Sequence, residues 1–183
     1  NLDWEKLSMW QVGLDFDFCR DFSISATVYG RQSYDVSVDA GSVVPKVFGI
    51  RGPTVYANVT SNKTLGYELS LGWRHSFGDF TVFAAANACH WNTVYNKLLS
   101  DDYLYDYQKR TGTSIHNIRG LECIGKYETL EQVQTVPSYS TVTIGDLMYK
   151  DQNNDGKIDS NDEVVIGNNQ PDLRYSVRLG FEY

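Results

Sequence analysis

The sequence predicts an all-β fold, in the form of a partial transmembrane antiparallel β-barrel with long extracellular loops. Apolar and polar residues alternate with a period of two over five stretches. These stretches are longer than the roughly five or six residues that are typical of strands in soluble sheets. Short turns join some of them and long irregular segments join the others, which is typical of outer-membrane barrels. Lipid offers no hydrogen bonds to the backbone, so strands can cross it only in a closed ladder.

The first two stretches predict a hairpin. Residues 10–18 carry Trp, Val, Leu and Phe at alternate positions, with Gln, Gly and Asp between them. Residues 22–28 repeat the pattern with Phe, Ile, Ala and Val against Ser and Thr. A short turn at residues 19–21 joins the two. In a barrel, the apolar side chains face lipid and the polar side chains face the lumen.

A second hairpin and a last strand follow the same rule. Residues 65–74 and 80–91 alternate around a turn at 76–79, and residues 173–183 end the chain with another alternating strand. Phe83 and Trp91 are the large side chains on the polar face of their strand. Aromatic residues near the short turns are expected to form a girdle at the membrane surface. They are Phe18, Phe22, Trp73, Phe77 and Phe80.

The remaining segments predict two long loops, at about residues 41–64 and 93–172, on the side opposite the short turns. Five strands cannot close a barrel, since the smallest barrels have about eight. Residues 1–183 are therefore expected to be a fragment of one barrel domain. Two other interpretations stay open at this stage. One is a secreted calcium-stabilised β-sandwich that binds glycans, and the other is a barrel that serves adhesion or outer-membrane catalysis.

Composition narrows the function. The net charge of −7 makes nucleic acid an unsuitable partner. The cysteines Cys19, Cys89 and Cys123 are odd in number and lack metal-binding spacing, so each is expected to be a free, buried thiol. The histidines are scattered, and no catalytic constellation can be assembled from the sequence. The chain is therefore not expected to be an enzyme.

Residues 151–162 predict a calcium loop of the EF-hand kind, set between strands instead of helices. Such loops place oxygen ligands at positions 1, 3, 5, 7, 9 and 12, with glycine at position 6. Gly156 occupies the turn position, and Ile158 is expected to point inward. Asp162 stands where a Glu is usual. The expected ligands are Asp151, Asn153, Asp155, the Lys157 carbonyl, Asp159 and Asp162. An ordinary turn rich in Asn, Asp and Gly is the alternative.

Four blocks of sequence resemble the barrels of SusC-like TonB-dependent transporters. The order and spacing of the blocks make the resemblance specific, although residues 30–64 and 92–140 do not align. The blocks are Trp4-Glu5-Lys6 with Gln11-Val12-Gly13-Leu14-Asp15-Phe16, Leu65-Gly66-Tyr67-Glu68-Leu69-Ser70, Ile144-Gly145-Asp146-Leu147-Met148-Tyr149-Lys150-Asp151, and Asp155-Gly156-Lys157-Ile158-Asp159 followed by Ile166-Gly167-Asn168 and Pro171-Asp172.

The resemblance implies a late part of a barrel with roughly 22 strands and a plugged lumen. It implies import of a nutrient, an oligosaccharide or possibly a peptide, across the cell outer membrane. The implied partners are outer-membrane lipid, a SusD-like surface lipoprotein, and the TonB system, which would act through parts of the protein outside this chain. Calcium is the one cofactor expected, in a structural role.

Asn87 and Trp91 are the candidate substrate contacts. Both are expected on the lumen side near the extracellular end of their strand, where an amide and an indole suit a sugar. Packing against a plug or a neighbouring loop is the alternative. Tyr103, Tyr105 and Tyr107 recur with a period of two and predict a small strand, with a glycan-facing patch as the alternative.

Overall fold

The computed structural model describes residues 2–40 and 56–183. Its described residues fall into two compact units. The first unit contains residues 2–40, 56–100 and 171–183, and we call it the long-strand sheet. The second unit contains residues 101–170, and we call it the insertion because it lies between two strands of the sheet in the sequence.

The long-strand sheet is antiparallel and has five strands in the order β1-β2-β3-β4-β9. The predicted partial barrel wall is therefore present as a single layer, not as the two facing sheets that a sandwich requires. The strands are β1 (Lys6–Phe18), β2 (Phe22–Asp39), β3 (Tyr56–Phe77), β4 (Phe80–Lys97) and β9 (Arg174–Glu182).

Two short hairpin turns lie at one end of the sheet, as predicted. In the turn between β1 and β2, Cys19 and Arg20 have φ values of 53° and 62°. The turn between β3 and β4 has only two residues, and its first residue, Gly78, has a φ of 65°. Glycine adopts this left-handed conformation without steric cost, which two-residue hairpin loops require.

The strand register confirms the alternation. Ser25 of β2 pairs with Ser70 of β3, which pairs with Asn87 of β4, which pairs with Ser176 of β9. These side chains share the polar face. One residue along, the neighbours on the opposite face are apolar, and they include Leu71 at 44% exposure. Such a large exposed apolar face marks a surface that meets lipid or another protein.

Aromatic side chains cluster at the end with the short turns. The ring centroids of Phe22 and Trp73 lie 6.4 Å apart, and those of Phe80 and Phe181 lie 5.6 Å apart. His75 joins the cluster, with its ring centroid 4.4 Å from that of Phe77. This arrangement has the form of the predicted girdle.

The predicted loop at 41–64 is partly wrong. Residues 41–55 lie outside the described residues, but 56–64 belong to β3 and continue its pairing with β2 and β4. The sequence hides this strand because the ladder is irregular here. Its register shifts between Ser33 and Ser37, and Asp35 has a φ of 55°. A bulge of this kind breaks the period of two.

The predicted loop at 93–172 begins too early, because β4 runs to Lys97. Its larger part, the insertion, is folded. The insertion has two small antiparallel sheets, β5 with β8 and β6 with β7. Its elements are β5 (Asn117–Leu121), β6 (Cys123–Lys126), α1 (Leu130–Thr135), β7 (Leu147–Tyr149) and β8 (Glu163–Asn168). No helix of the described chain has the length and apolar character to cross a membrane.

The small strand predicted at the tyrosines is also wrong. A single 3₁₀ turn, Asp106–Gln108, occupies this position. Lys109 Nζ lies 2.6 Å from Asp106 Oδ1, three residues earlier, and this ion pair favours the turn over extended backbone. The rings of Tyr105 and Tyr107 stack with centroids 5.3 Å apart.

Burial differs from that of a soluble domain. Among the described residues the buried apolar side chains are Ala40, Tyr127 and Ile158. The cysteines are free, as predicted, but their predicted burial is wrong. Cys19 and Cys123 are exposed and Cys89 is half-buried. Cys19 lies in a turn and Cys89 in a strand of the single-layer sheet, and Cys123 begins a strand of a small two-stranded sheet, so none of them has a thick core around it.

Candidate functional site

The structure places both predicted substrate contacts on the polar face of β4. Asn87 lies between Ser70 of β3 and Ser176 of β9, and its Nδ2 donates a 3.2 Å hydrogen bond to Ser176 Oγ. Trp91 lies four residues further along the same face, opposite Gly66 of β3. The two side chains therefore share one face, as the alternation predicts.

The indole ring of Trp91 lies against the guanidinium of Arg174. Cζ of Arg174, in β9, lies 4.0 Å from the centroid of the Trp91 ring. A guanidinium this close to an indole face is held by cation–π attraction and by stacking. One face of Trp91 is therefore occupied by Arg174. Substrate binding by Asn87 and Trp91 stays a prediction, but the site presents a cation where the sequence suggested a bare aromatic face.

An acidic residue completes this part of the polar face. Glu68 of β3 pairs with Cys89 of β4, which in turn pairs with Arg174 of β9. Glu68 and Arg174 thus flank Cys89 on adjacent strands. A shallow hollow of about 350 Å³ lies among these residues. Its lining includes the polar-face residues Glu68, Ser70, Asn87, Cys89, Arg174 and Ser176, together with Leu69, Ala88 and Tyr175. Sequence alternation placed Glu68 and Arg174 on the polar face, but only the register brings them together.

We call residues 151–162 the acidic loop. In its first half, side-chain oxygens accept hydrogen bonds from backbone N–H groups of the same loop. The backbone N–H of Asp155 donates to Asp151 Oδ1 at 3.3 Å and to Asn153 Oδ1 at 3.0 Å. The Gly156 N–H donates to Asp151 Oδ2 at 2.8 Å, and the Lys157 N–H donates to Asp155 Oδ1 at 2.9 Å. These contacts bring the first three predicted ligands to one side of the turn.

The second half of the loop is closed by Asp162, which is 0% exposed. Its Oδ1 accepts a 2.9 Å hydrogen bond from the Gln152 N–H, and its Oδ2 accepts a 2.9 Å bond from the Asp159 N–H. Asp159 in turn accepts a 2.7 Å bond from the Asn161 N–H. Asp162 therefore ties the start of the loop to its end through backbone amides, a role that the ligand pattern did not predict.

Two other predicted features of the loop are confirmed. Ile158 is 4% exposed and points inward. Gly156 has a φ of 83°, so the sharp turn at position 6 requires the conformational freedom of glycine. The loop also lies between extended segments, with β7 ending at Tyr149 and β8 beginning at Glu163.

A neighbouring turn of the insertion holds the end of the loop. Tyr107 Oη donates a 2.6 Å hydrogen bond to the Asn161 carbonyl, and Gln108 Nε2 donates a 3.3 Å bond to the Ser160 carbonyl. Arg119 of β5 donates a 3.1 Å bond to the Tyr107 carbonyl. Since β5 pairs with β8, this turn, the two strands and the loop end form one connected hydrogen-bonded structure.

The pKa of Tyr107 is affected by burial and by the negative charge of the loop. Burial raises the pKa of its phenol above the ordinary value, and the nearby carboxylates of Asp162, Asp151 and Asp155 and the phenol of Tyr105 raise it further. Each disfavours the ionised phenolate. A divalent cation in the loop would oppose the part of this shift that the carboxylates cause.

The start of the loop is held by Glu122. Its Oε2 accepts a 2.7 Å hydrogen bond from Gln152 Nε2 and lies 3.4 Å from Lys150 Nζ. The bond from Gln152 and the positive charge of Lys150 lower the pKa of the Glu122 carboxyl. The loop is therefore fixed at both ends by side chains from elsewhere in the insertion.

The donor set of the loop consists of oxygen atoms, which hard cations such as calcium prefer. Within residues 2–40 and 56–183, no group of three or more His, Cys, Asp or Glu side chains is arranged to hold a metal ion. The predicted set also uses the Asn153 amide oxygen and the Lys157 carbonyl. Calcium binding by these residues stays a prediction.

Comparison with known proteins supports the resemblance that the sequence suggests. No family model matches the chain. TonB-dependent receptor P26 of Formosa agariphila is 25% identical over 197 residues, which cover 100% of this chain and 19% of that receptor. The RagAB peptide importer in its open-open state matches with a TM-score of 0.72 at 21% identity, and its closed-closed state matches with a TM-score of 0.66 at 21% identity.

The likeness to SusC-like TonB-dependent transporters is confirmed. The fold is an incomplete antiparallel wall of a transmembrane barrel. The likeness to a TonB-dependent receptor supports the predicted location in the outer membrane. The matches to the open-open and closed-closed states span 100% of the chain, but only 19% and 20% of those longer chains. The names of these relatives describe a receptor and a peptide importer, and none of them describes an enzyme.

Proposed function

We propose that the chain forms part of the wall of an outer-membrane nutrient importer of the SusC-like kind, with no catalytic role. The single observation that carries the proposal is the five-stranded sheet with one apolar and one polar face. A barrel in lipid gives such a sheet a use for both faces, since lipid covers the apolar side chains and a wet lumen solvates the polar ones.

The proposal includes partners outside the chain. A SusD-like surface lipoprotein would cover the extracellular side, and the TonB system would supply energy through other parts of the protein. The folded insertion supports a surface partner, because it presents an ordered extracellular structure instead of a mobile loop. Its side chains hold the turn, strands and acidic loop together by hydrogen bonds.

The cargo class is proposed as an oligosaccharide or a peptide. The amide of Asn87 and the hydroxyls of Ser70 and Ser176 can bond to the polar groups of either class. The RagAB relatives are named as importers of peptides.

We also propose that the acidic loop binds calcium in a structural role. Its oxygen set, its glycine turn and its anchored Ile158 suit such an ion. The ion would neutralise the carboxylates that crowd the loop and would lower the entropic cost of ordering a long external segment. The bonds from Tyr107 and Glu122's contact with Gln152 would hold the loop in place around it.

The experiment uses the complete transporter, purified in detergent from the native membrane with a tag on its own chain. We expect peptides that extend beyond this chain, a copurifying surface lipoprotein, and uptake of oligosaccharide or peptide nutrients that stops when TonB is removed. A protein that stays soluble without detergent, or cells whose uptake is unchanged when the transporter is deleted, would contradict the proposal.

A further inference from the structure

We propose that Glu68 and Arg174 form a two-charge binding site in the lumen for a short peptide with free termini. The inference rests on the proposed import function and names the cargo class. Arg174 would bind the peptide carboxylate, and Glu68 would bind its ammonium group. The site is defined by these two residues and by the hollow between them.

The strand register sets the spacing of the two charges. Glu68, Cys89 and Arg174 lie side by side on β3, β4 and β9. Adjacent strands are about 4.8 Å apart, so two spacings separate the Cα atoms of Glu68 and Arg174 by roughly 10 Å. An extended chain covers about 3.3–3.6 Å per residue, so a peptide of about three residues matches this separation.

Arg174 is held in place before any ligand arrives. Its guanidinium lies over the Trp91 indole with Cζ 4.0 Å from the ring centroid. A guanidinium held over a ring face can still present N–H groups at its edge, and these can bind a carboxylate with two parallel hydrogen bonds. Trp91 is therefore a positioning residue in this site, and Arg174 is the contact.

The two charges are not paired with other residues. Within the described chain, neither Glu68 nor Arg174 has an oppositely charged partner within 4.0 Å. Arg74 and Glu182, nearer the short turns on the same face, do form an ion pair with each other. A ligand with both charges would therefore gain two charge-assisted contacts at Glu68 and Arg174. Arg74 and Glu182 offer no such gain, because they already pair with each other.

The floor between the charges is open and carries a row of polar side chains. Ser70, Asn87 and Ser176 lie in one row across the sheet next to the row of Glu68, Cys89 and Arg174. Their amide and hydroxyl groups can bond to a peptide backbone. Cys89 is small enough to leave the hollow of about 350 Å³ free between the charged side chains.

The same geometry disfavours a neutral sugar. A neutral oligosaccharide would cover Glu68 and Arg174 without supplying an opposite charge to either, and a covered charge without a partner is costly. A site that bonds a specific polar group strongly rejects an analogue that lacks this group. An apolar site discriminates much less against an analogue that lacks one methylene. The charge pair thus selects for cargo that carries both a carboxylate and an ammonium.

The experiment measures binding by calorimetry to the complete detergent-solubilised transporter. The probes are trialanine, the same peptide with acetylated and amidated termini, and neutral maltotriose. Unmodified transporter is expected to bind trialanine at least about tenfold more tightly than either other probe, because both other probes lack the two charges that Arg174 and Glu68 would bind. Equal binding of the free and capped peptides overturns the inference without any variant.

Variants then locate the site. Arg174→Gln and Glu68→Gln are each expected to weaken trialanine binding about tenfold or more. The matched control is Arg178→Gln, which removes the same charge from the same face of β9, beside Phe83. Equal effects of Arg174→Gln and Arg178→Gln overturn the site. Nutrient uptake by cells is measured separately, so failure of the import function and failure of this site give different results.

Discussion

The long-strand sheet and the insertion differ in how their backbone groups are hydrogen-bonded and in how many apolar side chains they leave exposed. The sheet satisfies its backbone by strand pairing and leaves its apolar side chains, such as Leu71, exposed. The insertion has short strands and encloses a few side chains completely, Tyr127 at 1% exposure and Asp162 at 0% among them. The sheet depends on lipid for its apolar face, whereas the insertion depends on hydrogen bonds between its own segments.

This difference indicates which substitutions should destabilise each region. In the sheet, position on the apolar or polar face decides the effect of a substitution, because the two faces meet different solvents. In the insertion, the decisive feature is whether a side chain bonds to backbone from a distant part of the sequence. Four predictions test this contrast.

The largest effect is expected from a charge on the apolar face. Leu69→Lys lies at the middle of the apolar row that runs along β3 from Leu65 to Trp73, and it should destabilise the barrel by about 2–4 kcal/mol. Thr27→Lys is the control, because it lies on the polar face opposite Glu68 and should change stability little. Urea unfolding of the complete transporter in lipid bilayers measures both. Equal costs at the two positions would contradict the assignment of the faces.

The next largest effect is expected in the insertion, from Asp162→Ala. The substitution leaves the Gln152 and Asp159 amides without their acceptor, which should cost about 2–4 kcal/mol for two buried groups. Hydrogen exchange should quicken throughout the loop and at β8 while exchange in the long-strand sheet stays the same. The control is Asp155→Ala, an exposed carboxylate of the same loop. If Asp155→Ala has the larger effect, the clamping role of Asp162 is wrong.

Calcium should act on the insertion alone. A site that is filled at about a hundred times its Kd gains about 2.7 kcal/mol, so hydrogen exchange in residues 151–162 should slow at about 5 mM calcium and recover with a chelator. Asp159→Asn should weaken the effect, because it removes a carboxylate ligand while preserving size. Exchange rates that are the same with and without calcium would show that the loop is an ordinary turn.

The smallest effect is expected from Asp101, at the start of the insertion. Its Oδ1 accepts a 2.8 Å bond from the Arg110 N–H and its Oδ2 accepts a 2.9 Å bond from the Thr111 N–H. Burial raises the pKa of Asp101, but the hydrogen bonds from Thr111 and Arg110 outweigh it, so the pKa lies below the ordinary value of 3.8. The carboxylate therefore stabilises the fold above that value, and its contribution is lost as the pH falls through the lowered pKa.

Calorimetry of the complete transporter between about pH 3 and pH 6 should detect this contribution as a loss of about 1 kcal/mol at the acidic end. Asp101→Asn should remove the same amount at neutral pH and flatten the pH dependence. Asp102→Asn, at the exposed neighbouring residue, is the control and should change neither. A pH dependence that survives in Asp101→Asn would assign it to another group.

Much of the sheet could be predicted because its physics is local. In residues 10–18, for example, the alternation of apolar and polar residues by itself assigns each side chain to a face. Residues 56–64 could not be predicted, because polar side chains on both faces leave no period of two. Their strand forms only because neighbouring strands supply hydrogen bonds, including one from Asn58 Nδ2 to the Asp35 carbonyl at 2.8 Å.

The candidate sites divide in the same way. The spacing of residues 151–162 alone predicted the turn at Gly156 and the inward Ile158, because a loop of fixed geometry needs those residue types at fixed offsets. It could not predict that Asp162 binds the Gln152 amide ten residues away, because the burial of a carboxylate depends on how the rest of the insertion packs.

The sequence by itself determined that this chain is a partial barrel wall with two distinct faces, and it identified the acidic loop at residues 151–162. It did so because alternation and turn chemistry act between neighbours in the chain. Only the tertiary structure decided that Arg174 rests on Trp91, that Glu68 faces the same hollow, and that residues 101–170 fold into a unit. Those outcomes depend on strand register and on contacts between distant segments, for which sequence spacing carries no signal.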